Sequence, residues 1–218
     1  MPFRTTKNTV LPGVKYTALW VDNEAKHLFS WGGAGPHGNL EGAKDRKLYD
    51  LKTDGKGGGE WSRKEPDPHP YRAAEMGYAT CGNTGYFLGG YTSTLTQDSI
   101  ASSGEYLAPE LYSLDLETLE MSQKSVDGFN PPDGTYRAGR AACGSVGDSN
   151  DIFFAFGGEF NEKVDFDFEI KPLPFSSLYF YDTKAEKWHV QRTRGDIPEG
   201  RSFLCSVGAK SPHGTYEM

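Results

Sequence analysis

Phe153-Phe154-Ala155-Phe156-Gly157-Gly158, followed by Leu178-Tyr179-Phe180-Tyr181-Asp182 and then by Trp188, is the stretch on which the fold turns. A short aromatic run ending in two residues without a Cβ reads as a strand that bends sharply and lies close to a neighbour. The Leu-Tyr segment reads as the next strand, its Asp leads a turn, and Trp188 sits on a further strand where the indole can cover the sheet. The same order of parts occurs twice before it. His27-Leu28-Phe29-Ser30-Trp31-Gly32-Gly33 leads to Leu48-Tyr49, Asp50 and Trp61, and Tyr86-Phe87-Leu88-Gly89-Gly90 leads to Leu111-Tyr112, Asp115 and Met121. The Leu-Tyr pairs lie 63 and 67 residues apart, the self-similarity of a repeat architecture.

The cysteines supply a register. Cys81, Cys143 and Cys205 are equally spaced, by 62 residues, in small apolar segments that read as the first strand of each unit. Those strands are expected over 16–21, 77–81, 139–146 and 202–207. Being sparse, odd in number and repeat-spaced, the three cysteines are expected to be buried free thiols. Each unit is thus four short antiparallel strands that cannot bury both faces alone, and stacking such sheets around a ring does bury them. The expected fold is all-β, a β-propeller.

These units resemble kelch repeats, whose signature is an apolar strand, a diglycine, then a spaced Tyr and Trp. The signature residues are Gly32, Gly33, Gly89, Gly90, Gly157, Gly158, Tyr49, Tyr112, Tyr179, Trp61 and Trp188. Within that family the opening Ala18-Leu19-Trp20-Val21-Asp22 and the arginine-bearing segments 137–140 and 195–201 look like the larger fungal kelch proteins. Met121 departs from the pattern by standing where a Trp is expected. The division is a lead-in over 1–13, blades over 14–76, 77–138 and 139–201, and the first strand of a truncated fourth blade over 202–218. Propellers hold roughly four to eight blades, so the expectation is an N-terminal fragment or truncated product of a longer ring. The resemblance implies that a membrane anchor could follow such a ring. The units exceed the usual length through insertions at 34–47, 91–110 and 159–177, between the second and third strands, and loops on one face are where propellers bind.

Composition limits function. The 218 residues carry 23 Lys and Arg against 30 Asp and Glu, a net charge of -7 that opposes nucleic acid and anionic lipid. Gly (27) and Pro (13) with 13% aromatics suit short strands and turns, and no run approaches the ~18 apolar residues of a membrane-spanning helix. MPFRTTKNTV has no apolar core to serve as a signal peptide. The compartment stays open, with the cytoplasm favoured and membrane tethering the alternative.

Catalytic and cofactor motifs are absent or out of context. Gly33-Ala34-Gly35-Pro36-His37-Gly38 matches a dinucleotide fingerprint, but Pro36, Gly38, Asn39 and Gly42 cannot begin the helix that the pyrophosphate needs, so it reads as a blade loop. Gly55-Lys56-Gly57-Gly58-Gly59 lacks phosphate-loop order and reads as a hairpin turn. His27, His37, His69, His189 and His213 show no zinc spacing. Asp165, Asp167 and Glu169 alternate with aromatics and could share one strand face, holding Ca²⁺ with Glu159 or Glu162, or could form the solvated face of a hairpin. Arg137, Arg140, Arg194 and Arg201 are expected to pair between blades rather than bind ligand. The leading expectation is a non-enzymatic module with no cofactor whose insertions bind another protein, or a glycan. The alternative is a galactose-oxidase-like or metal-dependent enzyme whose site lies in further blades.

Overall fold

The computed structural model describes residues 13–217 apart from 23, 25, 37–45, 67–69, 98, 100–105, 108–109, 132–134, 146–150, 165–166, 206–208 and 211–215. Eighteen strands and no helix form among the described residues. The first sheet runs β1 (Ala18–Val21), β2 (His27–Trp31), β3 (Leu48–Thr53), β4 (Gly59–Lys64) in spatial order. The second is built from β5 (Gly77–Cys81) and β6 (Thr84–Leu88), then, after the small hairpin of β7 (Tyr91–Thr92) and β8 (Tyr106–Leu107), from β9 (Leu111–Asp115) and β10 (Met121–Lys124). The third is built from β11 (Arg140–Ser145) and β12 (Asp151–Phe156), then, after the hairpin of β13 (Glu159–Val164) and β14 (Asp167–Pro172), from β15 (Ser177–Asp182) and β16 (Lys187–Arg192). Every neighbouring pair is antiparallel. The three sheets are propeller blades in an arc that does not close, with β1, β5 and β11 innermost.

The diglycines join blade to blade. Gly33, Gly90 and Gly158 donate their N–H groups to the carbonyls of Ala73, Tyr136 and Arg201 in the next segment around the axis, at 2.8, 2.8 and 2.9 Å. All six glycines have positive φ. A Cβ on Gly32 would lie 2.4 Å from the Ala73 oxygen, and one on Gly89 2.2 Å from the Tyr136 oxygen. Both the torsion and the clearance therefore require glycine.

A second periodic element has no sequence signature. Tyr16, Glu75, Ala138 and Phe203, just before or at the start of successive units, all take left-handed backbone conformations, with φ of 61, 60, 52 and 52. Each costs about 1–2 kcal/mol for a residue with a Cβ. The strain is offset by a chain of hydrogen bonds: Phe203 N–H donates to Ala138 O, Ala138 N–H to Glu75 O, and Glu75 N–H to Tyr16 O. The segment expected as a strand over 202–207 serves this chain instead. Ser202 to Cys205 are not strand, 206–208 lie outside the described residues, and β17 (Ala209–Lys210) pairs with β18 (Tyr216–Glu217) in a small hairpin.

The core is two seams between blades. In the first, Trp20 packs on Phe87 and over Gly85, where a Cβ would lie 2.8 Å from the indole, and its Nε1 donates to Tyr86 O. In the second, Ala79 takes the place of Trp20 and Phe153 that of Gly85, so large and small exchange sides. Trp188 completes the second seam, stacked near Phe129 and donating from Nε1 to Ser125 O. Trp61, its counterpart in the first blade, is only half-buried.

The cysteine expectation is corrected by register. Cys81 and Cys143 are joined as a disulfide, with Cα atoms 5.3 Å apart, and Cys205 is free and exposed. Counted from Glu75, Ala138 and Phe203, the cysteines stand six, five and two residues on, so they are not equivalent despite equal spacing. Side chains alternate along a strand. The one-residue offset turns Cys81 toward the third blade and Cys143 back toward the second.

Two outcomes follow. Peptide mapping without reductant shows Cys81 linked to Cys143 and Cys205 alkylated, and reduction lowers unfolding free energy by about 4 kcal/mol for a 62-residue separation. In urea denaturation, Gly89→Ala costs at least about 3 kcal/mol, whereas Gly55→Ala, at a similar φ but with nothing within 4 Å of its Cβ, costs about 1 kcal/mol. Equal losses would show that clearance at the seam is not what selects glycine.

Candidate interaction face

The described residues of the connections from one blade to the next and of the insertions after the diglycines lie at one end of the arc. Three isolated bridges hold them together: Lys15 with Ala34, Ala74 with Tyr91, and Arg137 with Glu159. Each joins the residue before a left-handed position to the residue that follows a diglycine.

The insertions are bolted down by side chains of dissimilar type. Arg72 is 2% exposed and its guanidinium donates to Gly32 O at 2.9 Å, while its backbone N–H donates to Gln97 Oε1. A buried guanidinium is retained only where acceptors surround it, and the second insertion supplies a polar lining of Thr92, Ser93, Thr96 and Gln97. Thr96 N–H donates to Ser93 O, and Gly35 N–H reaches Leu95 O, so the second insertion closes over the end of the first blade. The third insertion is the β13–β14 hairpin. It is anchored by the Arg137–Glu159 ion pair, 3.3 Å, and by Asn161 N–H donating to Thr135 Oγ1. Ile170 stands 50% exposed on that hairpin. At the axis a small cavity of about 180 Å³ is lined by Tyr16, Glu75, Tyr78, Arg140 and Phe203, and the rings of Tyr16 and Phe203 approach to 5.9 Å.

Residues singled out from sequence are distributed as follows. Tyr112 stacks on Phe87, and Tyr179 donates its hydroxyl to Asn130 O in the second seam, whereas Tyr49 is buried on the face of the first blade turned away from the second. Asp115 and Asp182 each accept two backbone N–H groups in the turn after the Leu-Tyr strand, which holds their carboxyls below the usual range. Asp50 is not their counterpart. The turn aspartate of the first unit is Asp54, which accepts from Lys56 and Gly58 N–H in the glycine-rich hairpin, while Asp50 is buried against His27. Of the acidic run, Asp165 lies outside the described residues, Asp167 opens β14, and Glu169 pairs with Lys171 at 3.4 Å. His37, His69 and His213 also lie outside them, and His189 stacks on Phe180. Arg137, in the segment that leads from the second blade into the third, pairs with Glu159 of the third, Arg140 donates to Gly139 O, and Arg194 and Arg201 are exposed. Among the described residues no three His, Cys, Asp or Glu side chains group as metal ligands, and no helix is long and apolar enough to cross a membrane.

The sequence matches the KLHDC2/KLHL20/DRC7 Kelch-repeats domain over residues 3–212, nearly all of its length. The chain belongs to the kelch-repeat family. No curated protein matches it. The match accounts for the diglycine seams and the four-stranded blades. The Arg72 cluster and the left-handed series are visible only once neighbouring blades are in place, because their residues share no type from one unit to the next.

Burial beneath this end sets an alkaline limit on stability. Tyr136, whose carbonyl accepts from Gly90, is fully buried between Phe129 and the strand starting at Arg140, and desolvation raises its phenol pKa strongly. A phenol raised on folding leaves stability intact below the ordinary value of about 10 and loses it as pH climbs from there toward the folded value. Urea midpoints measured from pH 8 to 11.5 are therefore flat to about pH 10 and then fall, and Tyr136→Phe makes the fall shallower.

Proposed function

We propose that this kelch arc is a non-enzymatic protein-binding scaffold whose contact surface is the end carrying the three insertions. Kelch-repeat domains are in general protein-interaction modules, and fold membership alone leaves the surface open. The observation that supports this end is structural investment. A buried arginine, an ion pair and three backbone bridges hold insertions that the blade cores do not need. Rigid anchoring lowers the ordering cost that a loop surface incurs on association.

Photo-crosslinking tests the assignment. A benzophenone side chain replaces Ile170 on the insertion hairpin or, as the control, Val190 on the outer strand of the third blade, the two positions being 50% and 51% exposed. The expected result in cell extract is a discrete protein adduct from position 170 and none from position 190. Adducts from both positions alike, or from 190 alone, would overturn it.

A further inference from the structure

The two seams provide an internal control for each other. In the second, the Lys124 ammonium meets Glu186 at 2.6 Å and Trp188 is buried beside it. Lys64 pairs with Leu48 as Lys124 pairs with Leu111, so the two lysines are equivalent. The counterpart of Glu186 is Leu119, which shares its left-handed backbone (φ 63 against 50), and the counterpart of Trp188 is Met121. The first seam therefore lacks both the ion pair and the indole. It opens into a cleft of about 610 Å³ at the end away from the insertions, a volume in the range of ligand pockets.

The base of the cleft is the His27–Asp50 pair. Asp50 is 6% exposed, and its Oδ1 meets His27 Nδ1 at 2.7 Å. Among the described residues this is the Asp50 side chain's only hydrogen bond, and Oδ2 is left open to the cleft. A carboxylate oxygen open at the base of a cleft is free to accept a hydrogen bond from a donor that enters it. The equivalent position in the second blade is Ser113, which bonds Ser122 and carries no charge. Beside the carboxylate, the His27 and Phe29 rings stack nearly parallel, at 10° and 5.8 Å. Leu116 and Leu119 form an apolar wall, and Asp22 and Glu117 make the rim acidic beside the exposed Lys64, with Glu24 paired to Lys26.

We propose that this cleft binds an arginine side chain of a partner polypeptide. A guanidinium presents paired donors to a carboxylate and stacks on flat rings, which an ammonium does not do. Its three-carbon stem lies along Leu116 and Leu119. The site is distinct from the insertion end and does not depend on what that end binds.

The test uses N-acetyl-arginine-N-methylamide and its neutral isostere, the citrulline analogue, titrated into the whole chain while the His27 and Phe29 ring signals are followed by NMR. The expected result is saturable shifts with the arginine probe and affinity at least about tenfold weaker with citrulline. Asp50→Asn erases that preference. Leu119→Glu, which installs the residue found at this place in the next seam, closes the cleft against Lys64 and abolishes binding. Because Glu186 already occupies the equivalent left-handed position, this variant keeps the test decisive if Asp50→Asn fails to fold. Equal binding of the two probes, no saturable shift, or binding unchanged by Leu119→Glu overturns the proposal.

Discussion

The hydrogen bond from the second glycine of each diglycine to a carbonyl in the next segment is the interaction on which the remainder depends. It sets the distance between successive blades at the backbone, before any side chain contributes. With Gly33 held to Ala73 and Gly90 to Tyr136, the inner strands are brought near enough for Trp20 to reach Phe87 and for Cys81 to reach Cys143. Neither contact could form if a Cβ forced the blades apart at that point, which is why the requirement for glycine is steric as well as torsional.

Within that backbone frame the seams are filled differently. The exchange of Trp20 and Gly85 for Ala79 and Phe153 conserves volume while moving it from one side to the other, as close-packed interiors demand. The outer parts of the seams do not compensate in this way. Leu119 and Met121 stand where Glu186 and Trp188 close the second seam, and the first is left with a cleft whose base holds a carboxylate with one oxygen open to it. A repeat fold makes such a site by omission: one unit loses a closing contact while its neighbours preserve the geometry around it.

The blade order was legible in the residues because it rests on local patterns. Phe153 to Gly158 announces a strand and a tight approach, and Leu178 to Asp182 a strand and a turn, without reference to distant chain. The cysteines misled because equal spacing stood in for equivalent position. Insertions of unequal length carried Cys205 to a place two residues beyond Phe203, while Cys81 and Cys143 fell one residue out of step. Asp50 misled similarly. It lies beside a Leu-Tyr pair as Asp115 and Asp182 do, yet it precedes the turn by a full strand segment and points into the seam rather than capping backbone N–H groups.

Sequence alone determined the repeat, the order of strands and the need for glycine at each seam, because hydrophobic period and residues without a Cβ act over a few positions. Tertiary structure alone decided that Cys81 meets Cys143, that Arg72 is sealed beneath an insertion, and that His27 and Asp50 face an unfilled cleft. The first and last depend on which face of a strand a side chain takes relative to the adjoining blade, and the burial of Arg72, in the connection before β5, on how the second insertion packs over it. A shift of one residue reverses that face, and only the packed neighbour shows which way it has turned.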